Sequence, residues 1–252
     1  MLEIAKRPDL EAAVRESTTE VLNTDDWRGQ EQACLILGQL DHEDVMSRLV
    51  VLLKSPRPEV QISSAWALRK IAVKESLPVL LKHAQSQTDN PQGPDLRAVD
   101  RQVAHLFEAM TIMEYRPVIP LMRTQVPKPE DVDTTHRRLS RGAAVWGLGY
   151  FLADENDDEF AAQLMGRIKD VGGMTPDEIV LVRRMSAISI GRMKTESQLP
   201  AMKKFVGSEV QHDPVSESLR WSIHEISGEE LPHITHSPRV LRNWRIQPLP
   251  PK

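Results

Sequence analysis

The chain has 252 residues, of which 40% are hydrophobic and 27% are charged, as in ordinary globular proteins and unlike disordered ones. Its net charge of −4 and isoelectric point near 6.1 argue against a generally basic domain, so we do not expect a nucleic-acid partner. No stretch approaches the roughly 18 apolar residues of a membrane span, and the first residues carry no apolar secretion signal. We therefore expect a cytoplasmic protein with no membrane contact, whose single cysteine, Cys34, is buried on an apolar helix face.

Helical periodicity begins near the N-terminus. Residues 10–22 predict a first helix, and the pattern Ala-x-x-x-Leu-Gly-x-Leu over residues 33–40 predicts a second helix paired with it. Residues 45–53 predict the next first helix, the prolines of residues 55–58 end it, and residues 60–71 predict its partner. The later first helices are predicted at residues 77–81, 118–122, 160–165 and 199–202.

The leucine position of the second-helix pattern recurs at intervals of about 31 to 42 residues. It is filled in turn by Leu37, Leu68, Phe107, Leu148, Ile190 and Ile223. A period in this range is typical of helical arrays in which each unit buries its apolar face only against its neighbours. The pattern therefore predicts six helix pairs and no β-strand.

The second helices resemble those of the HEAT-repeat family, including its shorter lyase-type variants. The resemblance rests on a branched residue, an arginine, two small residues and Leu-Gly, as in Val182-Arg183, Ser186-Ala187 and Ile190-Gly191. It implies an all-α fold, a right-handed α-solenoid of the armadillo type with about six antiparallel helix pairs, over residues 1–228. Other repeats depart from this pattern: Gln30, Gln61, Asp100 and Ser216 fill the arginine position, and Arg69, Glu108 and His224 fill the glycine position.

The longer loops fall mainly between the first and second helix of a pair. They comprise residues 87–94, 126–133, 171–176 and 207–214. Equivalent loops of a solenoid line up along one edge, so these loops are either tolerated surface insertions or an edge that contacts a partner.

A variable position of the second helix, two residues before the leucine position, carries three of the five tryptophans. Tryptophan at an exposed position indicates a surface that a partner covers, and arginines lie one turn away. We name this set the second-helix strip and predict that it forms a concave groove for a peptide or an acidic protein segment. The strip consists of Trp66, Arg101, His105, Trp146, Tyr150, Arg184, Arg192 and Trp221. In the alternative interpretation, each tryptophan packs against the second helix of the next repeat.

Residues that could carry enzyme chemistry do not fall into a shared arrangement. His42-Glu43 and His224-Glu225 occupy different positions in their repeats, so they do not form one di-iron site. The acidic run 154–159 lacks the glycine of a calcium loop and is interpreted as a turn before a helix. His233 and His236 lack further ligands nearby. We therefore predict no catalytic residue, cofactor or metal site.

The C-terminal segment 229–252 contains five prolines and loses helical periodicity. Trp244, with Arg242 and Arg245, provides its anchoring side chains, and we expect the segment to pack on the last repeat or to dock on another protein. The whole pattern predicts a non-enzymatic scaffold that binds a protein or peptide. The alternative is a HEAT-fold enzyme or accessory factor of the bilin-lyase or DNA-glycosylase type.

Overall fold

The computed structural model describes residues 7–71, 73–91, 95–128, 137–173, 176–208 and 214–231. Across these ranges it contains twelve α-helices and no β-strand, which confirms the predicted all-α class and the six helix pairs. The helices are α1 (Pro8–Leu22), α2 (Trp27–Gln39), α3 (Met46–Leu52), α4 (Pro58–Ile71), α5 (Leu77–Asp89), α6 (Leu96–Ile112), α7 (Ile119–Arg123), α8 (Arg138–Phe151), α9 (Asp158–Lys169), α10 (Val180–Met193), α11 (Leu199–Ser208) and α12 (Pro214–Ser227).

The chain divides into two compact units, unit 1 (Met1–Val118) and unit 2 (Ile119–Lys252). Odd-numbered helices are the first helices of their pairs and even-numbered helices the second. Within unit 1 the second helices α2, α4 and α6 pack side by side, and within unit 2 the same holds for α8, α10 and α12. The division of the chain into residues 1–228 and a C-terminal tail stays a prediction.

Short polar side chains define where several helices begin. Asp26, Asp95 and Asp157 each precede a helix and accept a hydrogen bond from a backbone N–H of its first turn, at 3.1, 2.9 and 2.9 Å. Such caps satisfy donors that have no partner inside the helix. Two of the predicted loops are shorter than the sequence indicates, because α5 continues to Asp89 and α11 continues to Ser208.

The side chain at the leucine position lies in the hydrophobic core. The side chains at all six of these positions are fully buried, as the repeat pattern predicts. They are Leu37, Leu68, Phe107, Leu148, Ile190 and Ile223.

The glycine position brings adjacent second helices into close contact. A Cβ atom at Gly149 of α8 would lie 2.8 Å from Cα of Ser189 in α10, and one at Gly191 would lie 2.8 Å from Cα of Ser222 in α12. Ser189 Oγ donates to the Val145 carbonyl of α8 at 2.8 Å. Ser222 Oγ lies 2.8 Å from both the Ala187 carbonyl of α10 and the Ser218 carbonyl of its own helix, so its single proton is shared between them. Side-chain hydrogen bonds therefore hold α8, α10 and α12 together.

Where the arginine position holds arginine or glutamine, its side chain joins the second helix to the end of its own first helix or to the segment after it. Arg183 Nε donates to the Ile168 carbonyl at 3.0 Å. In unit 1 glutamines make the equivalent hydrogen bond. Gln30 Nε2 donates to the Thr24 carbonyl at 2.6 Å, and Gln61 Nε2 donates to the Ser55 carbonyl at 2.7 Å. The glutamines that depart from the repeat pattern in sequence thus preserve its hydrogen bond.

Candidate partner-binding site

In unit 2 the structure brings three residues of the second-helix strip into one cluster. Trp146 and Tyr150 lie one turn apart on α8, with ring centroids 4.9 Å apart and ring planes at 73°. The Arg192 guanidinium of α10 lies 3.8 Å from the centroid of the Tyr150 ring and donates to the Tyr150 hydroxyl at 3.0 Å. A cation stacked on an aromatic face in this way is electrostatically favourable.

Burial within this cluster differs from the expectation of three exposed tryptophans. Trp146 is only 4% exposed, so it supports Tyr150 from within the fold instead of presenting a surface. Tyr150 and Arg192 are half-buried. Burial lowers the pKa of Arg192 to about 10, while the neighbouring Tyr150 raises it, so the guanidinium remains charged at neutral pH.

Two further strip residues lie on α10 and α12 of unit 2. Arg184 Nε donates to Ser218 Oγ at 3.2 Å, and burial lowers the pKa of this arginine. Trp221 is half-buried on α12. In unit 2 the arginines of the strip therefore contact the adjacent second helix, and part of each arginine side chain remains exposed to solvent.

In unit 1 the strip consists of Trp66, Arg101 and His105. Trp66 is half-buried, and its Cζ3 atom lies 2.9 Å from the place where a Cβ of Gly38 would be, so the indole packs on α2. The contact is with the preceding repeat, whereas the alternative interpretation names the next one. Arg101 is exposed on α6. His105 Nδ1 lies 3.5 Å from Glu108 Oε2, and the two residues are one turn apart.

An ion pair between Arg69 and Glu108 joins α4 to α6, and the sequence analysis did not anticipate it. Both residues fill the glycine position of their repeats, where close helix contact would otherwise require a small residue. Glu108 is almost completely buried, and burial lowers the pKa of Arg69. The sequence does contain a signal for this ion pair, because oppositely charged residues replace glycine at the same position of two consecutive repeats.

The remaining sequence-predicted residues lie apart from these clusters. His42 precedes α3 in unit 1, whereas His224 and Glu225 are exposed on α12 in unit 2. Within the described ranges, no group of three or more His, Cys, Asp or Glu side chains is placed to hold a metal ion. Asp157 caps α9, and the hydrogen bond that its carboxylate accepts from the Phe160 N–H is the main cause of its lowered pKa. The tail residues Trp244, Arg242, Arg245, His233 and His236 lie outside the described residues.

Comparison with known proteins agrees with the repeat geometry. Residues 16–92 match the family model of HEAT repeats. This part of the chain is similar to HEAT repeats. No curated protein sequence matches the chain at a significant level. Among solved structures, the chain is similar to human deoxyhypusine hydroxylase in complex with glycerol, with 14% identity and a TM-score of 0.34, covering 88% of this chain and 90% of that chain. None of the described helices is both long and apolar enough to span a membrane.

Proposed function

We propose that this HEAT-repeat protein is a non-enzymatic cytoplasmic scaffold that binds a protein segment on the surface of its second helices. The observation that carries the proposal is the pair of interhelical hydrogen bonds from Ser189 and Ser222, which hold α8, α10 and α12 together. A surface fixed in this way loses little conformational entropy when a partner binds. The protein-binding role also agrees with the HEAT repeats of residues 16–92.

The residues on this surface favour an acidic partner segment. Arg184 and Arg192 provide cations in unit 2, and Arg101 provides one in unit 1. Tyr150 and Trp221 keep part of their rings accessible, and aromatic and arginine side chains dominate the energetics of protein interfaces. Trp146 acts indirectly, because its buried ring holds Tyr150 in place.

The test is affinity purification from the source cells with the full chain as bait, followed by quantitative mass spectrometry. In unit 2 we expect Trp221→Ala to reduce recovery of the main partner about tenfold, which corresponds to about 1.4 kcal/mol, and Arg101→Glu tests the strip residues of unit 1 separately. Lys204→Glu is the matched control, because Lys204 is exposed on the first helix α11. Equal recovery with all three variants, each checked by circular dichroism, would exclude this surface as the binding site.

A further inference from the structure

Unit 1 contains an open groove on the side of its first helices, away from the second-helix strip. Its volume is about 960 Å³, and it is bounded by α3, α5 and the turns that precede α2 and α4. We name it the α3–α5 groove. The lining residues that matter here are Trp27, Val51, Lys54, Arg57, Val79 and Lys82. None of the strip residues Trp66, Arg101 and His105 lines it.

The apolar part of the groove is unusually exposed. Val51 is 59% exposed and Val79 is 50% exposed, the two highest values among the large hydrophobic side chains of the described residues. The two valines come from different repeats, one on α3 and one on α5, yet both line the same groove. Aliphatic side chains gathered in one concavity indicate a surface that another molecule covers.

The charged part of the groove is positive, although the chain as a whole carries a net charge of −4. Lys54, Arg57 and Lys82 line it, and Asp25 is the one acidic residue among the lining residues that the structure describes. The Arg57 guanidinium lies 5.2 Å from the centroid of the Trp27 ring. Stacking uses the face of a guanidinium and leaves the N–H donors at its edge available for a carboxylate.

Hydrogen bonds through Gln102 link the elements that form the groove. Gln102 of α6 donates from Nε2 to the Leu53 carbonyl at the end of α3, at 2.8 Å. Its Oε1 lies 2.9 Å from Nε2 of the buried His83 on α5, which therefore carries the proton and donates. The elements that form the groove are thus linked before any ligand arrives, as is typical of preformed binding sites.

We propose that the α3–α5 groove binds an acidic amphipathic segment of another protein, whose aliphatic side chains cover Val51 and Val79 and whose carboxylates pair with Lys54, Arg57 and Lys82. A helix with apolar and charged faces has both kinds of side chain at the required separation. Nucleic acid fits less well, because the guanidiniums of Arg28 and Arg57 both lie over Trp27 and occupy the ring on which a base would stack. This inference goes beyond the proposed function, since it concerns a second and separate surface.

The test uses the purified full chain and a fluorescein-labelled peptide of about 18 residues, or five helical turns, with leucine and valine on one face and glutamate on the other. Binding is measured by fluorescence anisotropy at about 50 mM and about 300 mM salt. We expect a saturable signal that weakens with salt. The double variants Lys54→Glu/Lys82→Glu and Val51→Asp/Val79→Asp should each raise Kd about tenfold or more.

Matched controls separate the groove from general effects of charge. Lys204→Glu and Val180→Asp change an exposed lysine and a 49% exposed valine outside the groove, so Kd should change less than about twofold. Trp221→Ala and Arg101→Glu are measured as well, not as controls but to distinguish the two surfaces, because the second-helix strip also favours an acidic segment. If these strip variants weaken peptide binding while the groove variants do not, the groove proposal is wrong and the strip is the binding surface.

Other outcomes would also overturn the proposal. These are no saturable peptide binding, equal binding by wild type and groove variants, and equal binding of a peptide with lysine in place of glutamate. If a labelled single-stranded oligonucleotide binds more tightly than the peptide, and Lys54→Glu/Lys82→Glu abolishes that binding, the groove is a nucleic-acid site. Self-association of the chain that Val51→Asp/Val79→Asp abolishes, measured by analytical ultracentrifugation, would make it a contact between copies.

Discussion

Arg141 and Glu178 form a buried bidentate ion pair in unit 2. Two guanidinium nitrogens donate to the two carboxylate oxygens at 2.7 Å, and both side chains are 1% exposed. The same guanidinium donates to the carbonyls of Gln125 and Val126, at 3.1 and 3.3 Å. One arginine thereby connects α8 to the segment after α7 and to the segment before α10.

Removing one partner of this pair should destabilise the protein severely. Glu178→Ala leaves a guanidinium buried without its carboxylate, and breaking a buried pair from one side costs about 3–5 kcal/mol. We expect a loss of that order in the free energy of unfolding, measured by urea denaturation with circular dichroism. The double variant Arg141→Met/Glu178→Leu removes both charges and should be more stable than Glu178→Ala. A loss below about 1 kcal/mol in the single variant would contradict the structural role of the pair.

Two helical glycines should respond in opposite directions to alanine. At Gly149 a Cβ would lie 2.8 Å from Cα of Ser189, so α8 and α10 must separate, and we expect Gly149→Ala to cost about 1–3 kcal/mol. At Gly166 nothing lies within 4 Å of the added Cβ, and α9 gains helix propensity worth about 1 kcal/mol. Thermal unfolding of both variants checks the prediction, which fails if Gly149→Ala raises the melting temperature.

His83 should make unit 1 less stable in mild acid. Burial is the main cause of its lowered pKa and Lys54 adds to it, while the hydrogen bond with Gln102 acts in the opposite direction. The unfolded chain takes up a proton near the ordinary pKa of 6.5, but the folded protein does so only at lower pH. Stability from this residue is therefore complete above pH 6.5 and decreases as the pH falls below it. In urea titrations between about pH 7 and pH 5, His83→Gln should show a weaker pH dependence than wild type. An identical dependence would contradict the assignment.

Cys34 should be unreactive in the folded protein. Its burial raises the thiol pKa to about 12, although a hydrogen bond with Ser63 lowers it somewhat, and only the thiolate reacts readily. At pH 8 a disulfide reagent such as dithionitrobenzoate should label the native chain only as fast as it unfolds. The same chain in guanidinium chloride, as the control, should react at once. Rapid labelling of native protein would mean that α2 opens locally.

Much of the helical framework could be predicted from the sequence, because each repeat has its own local signature. The leucine position identified six buried residues, and the arginine position identified side chains that bind the end of a first helix. The exposure of the variable position could not be predicted in the same way. Trp146 is buried whereas Trp66 and Trp221 are half-buried, because exposure depends on side chains of neighbouring helices that the repeat pattern does not specify.

The α3–α5 groove was missed for a related reason. Val51 and Val79 each look like ordinary apolar residues of a first helix, and only the stacking of two repeats places them in one concavity. Lys54 and Lys82 likewise follow no motif. A surface made of residues about 28 positions apart becomes visible only when the first helices are aligned in space, because their sequence pattern is weaker than that of the second helices.

The Ser–Gly contact between second helices has a consequence for the order of the repeats. Helix α10 has both halves of the contact, with Ser189 against Gly149 and Gly191 against Ser222. The α9–α10 pair is thus compatible with a copy of itself, and a duplicated pair could be inserted in tandem without a new interface. Helix α12 has the serine, but His224 stands where the glycine would be, so the same Ser–Gly contact cannot be repeated beyond it. The identity of one side chain therefore determines where this contact can recur, and between α4 and α6 the Arg69–Glu108 ion pair stands in its place.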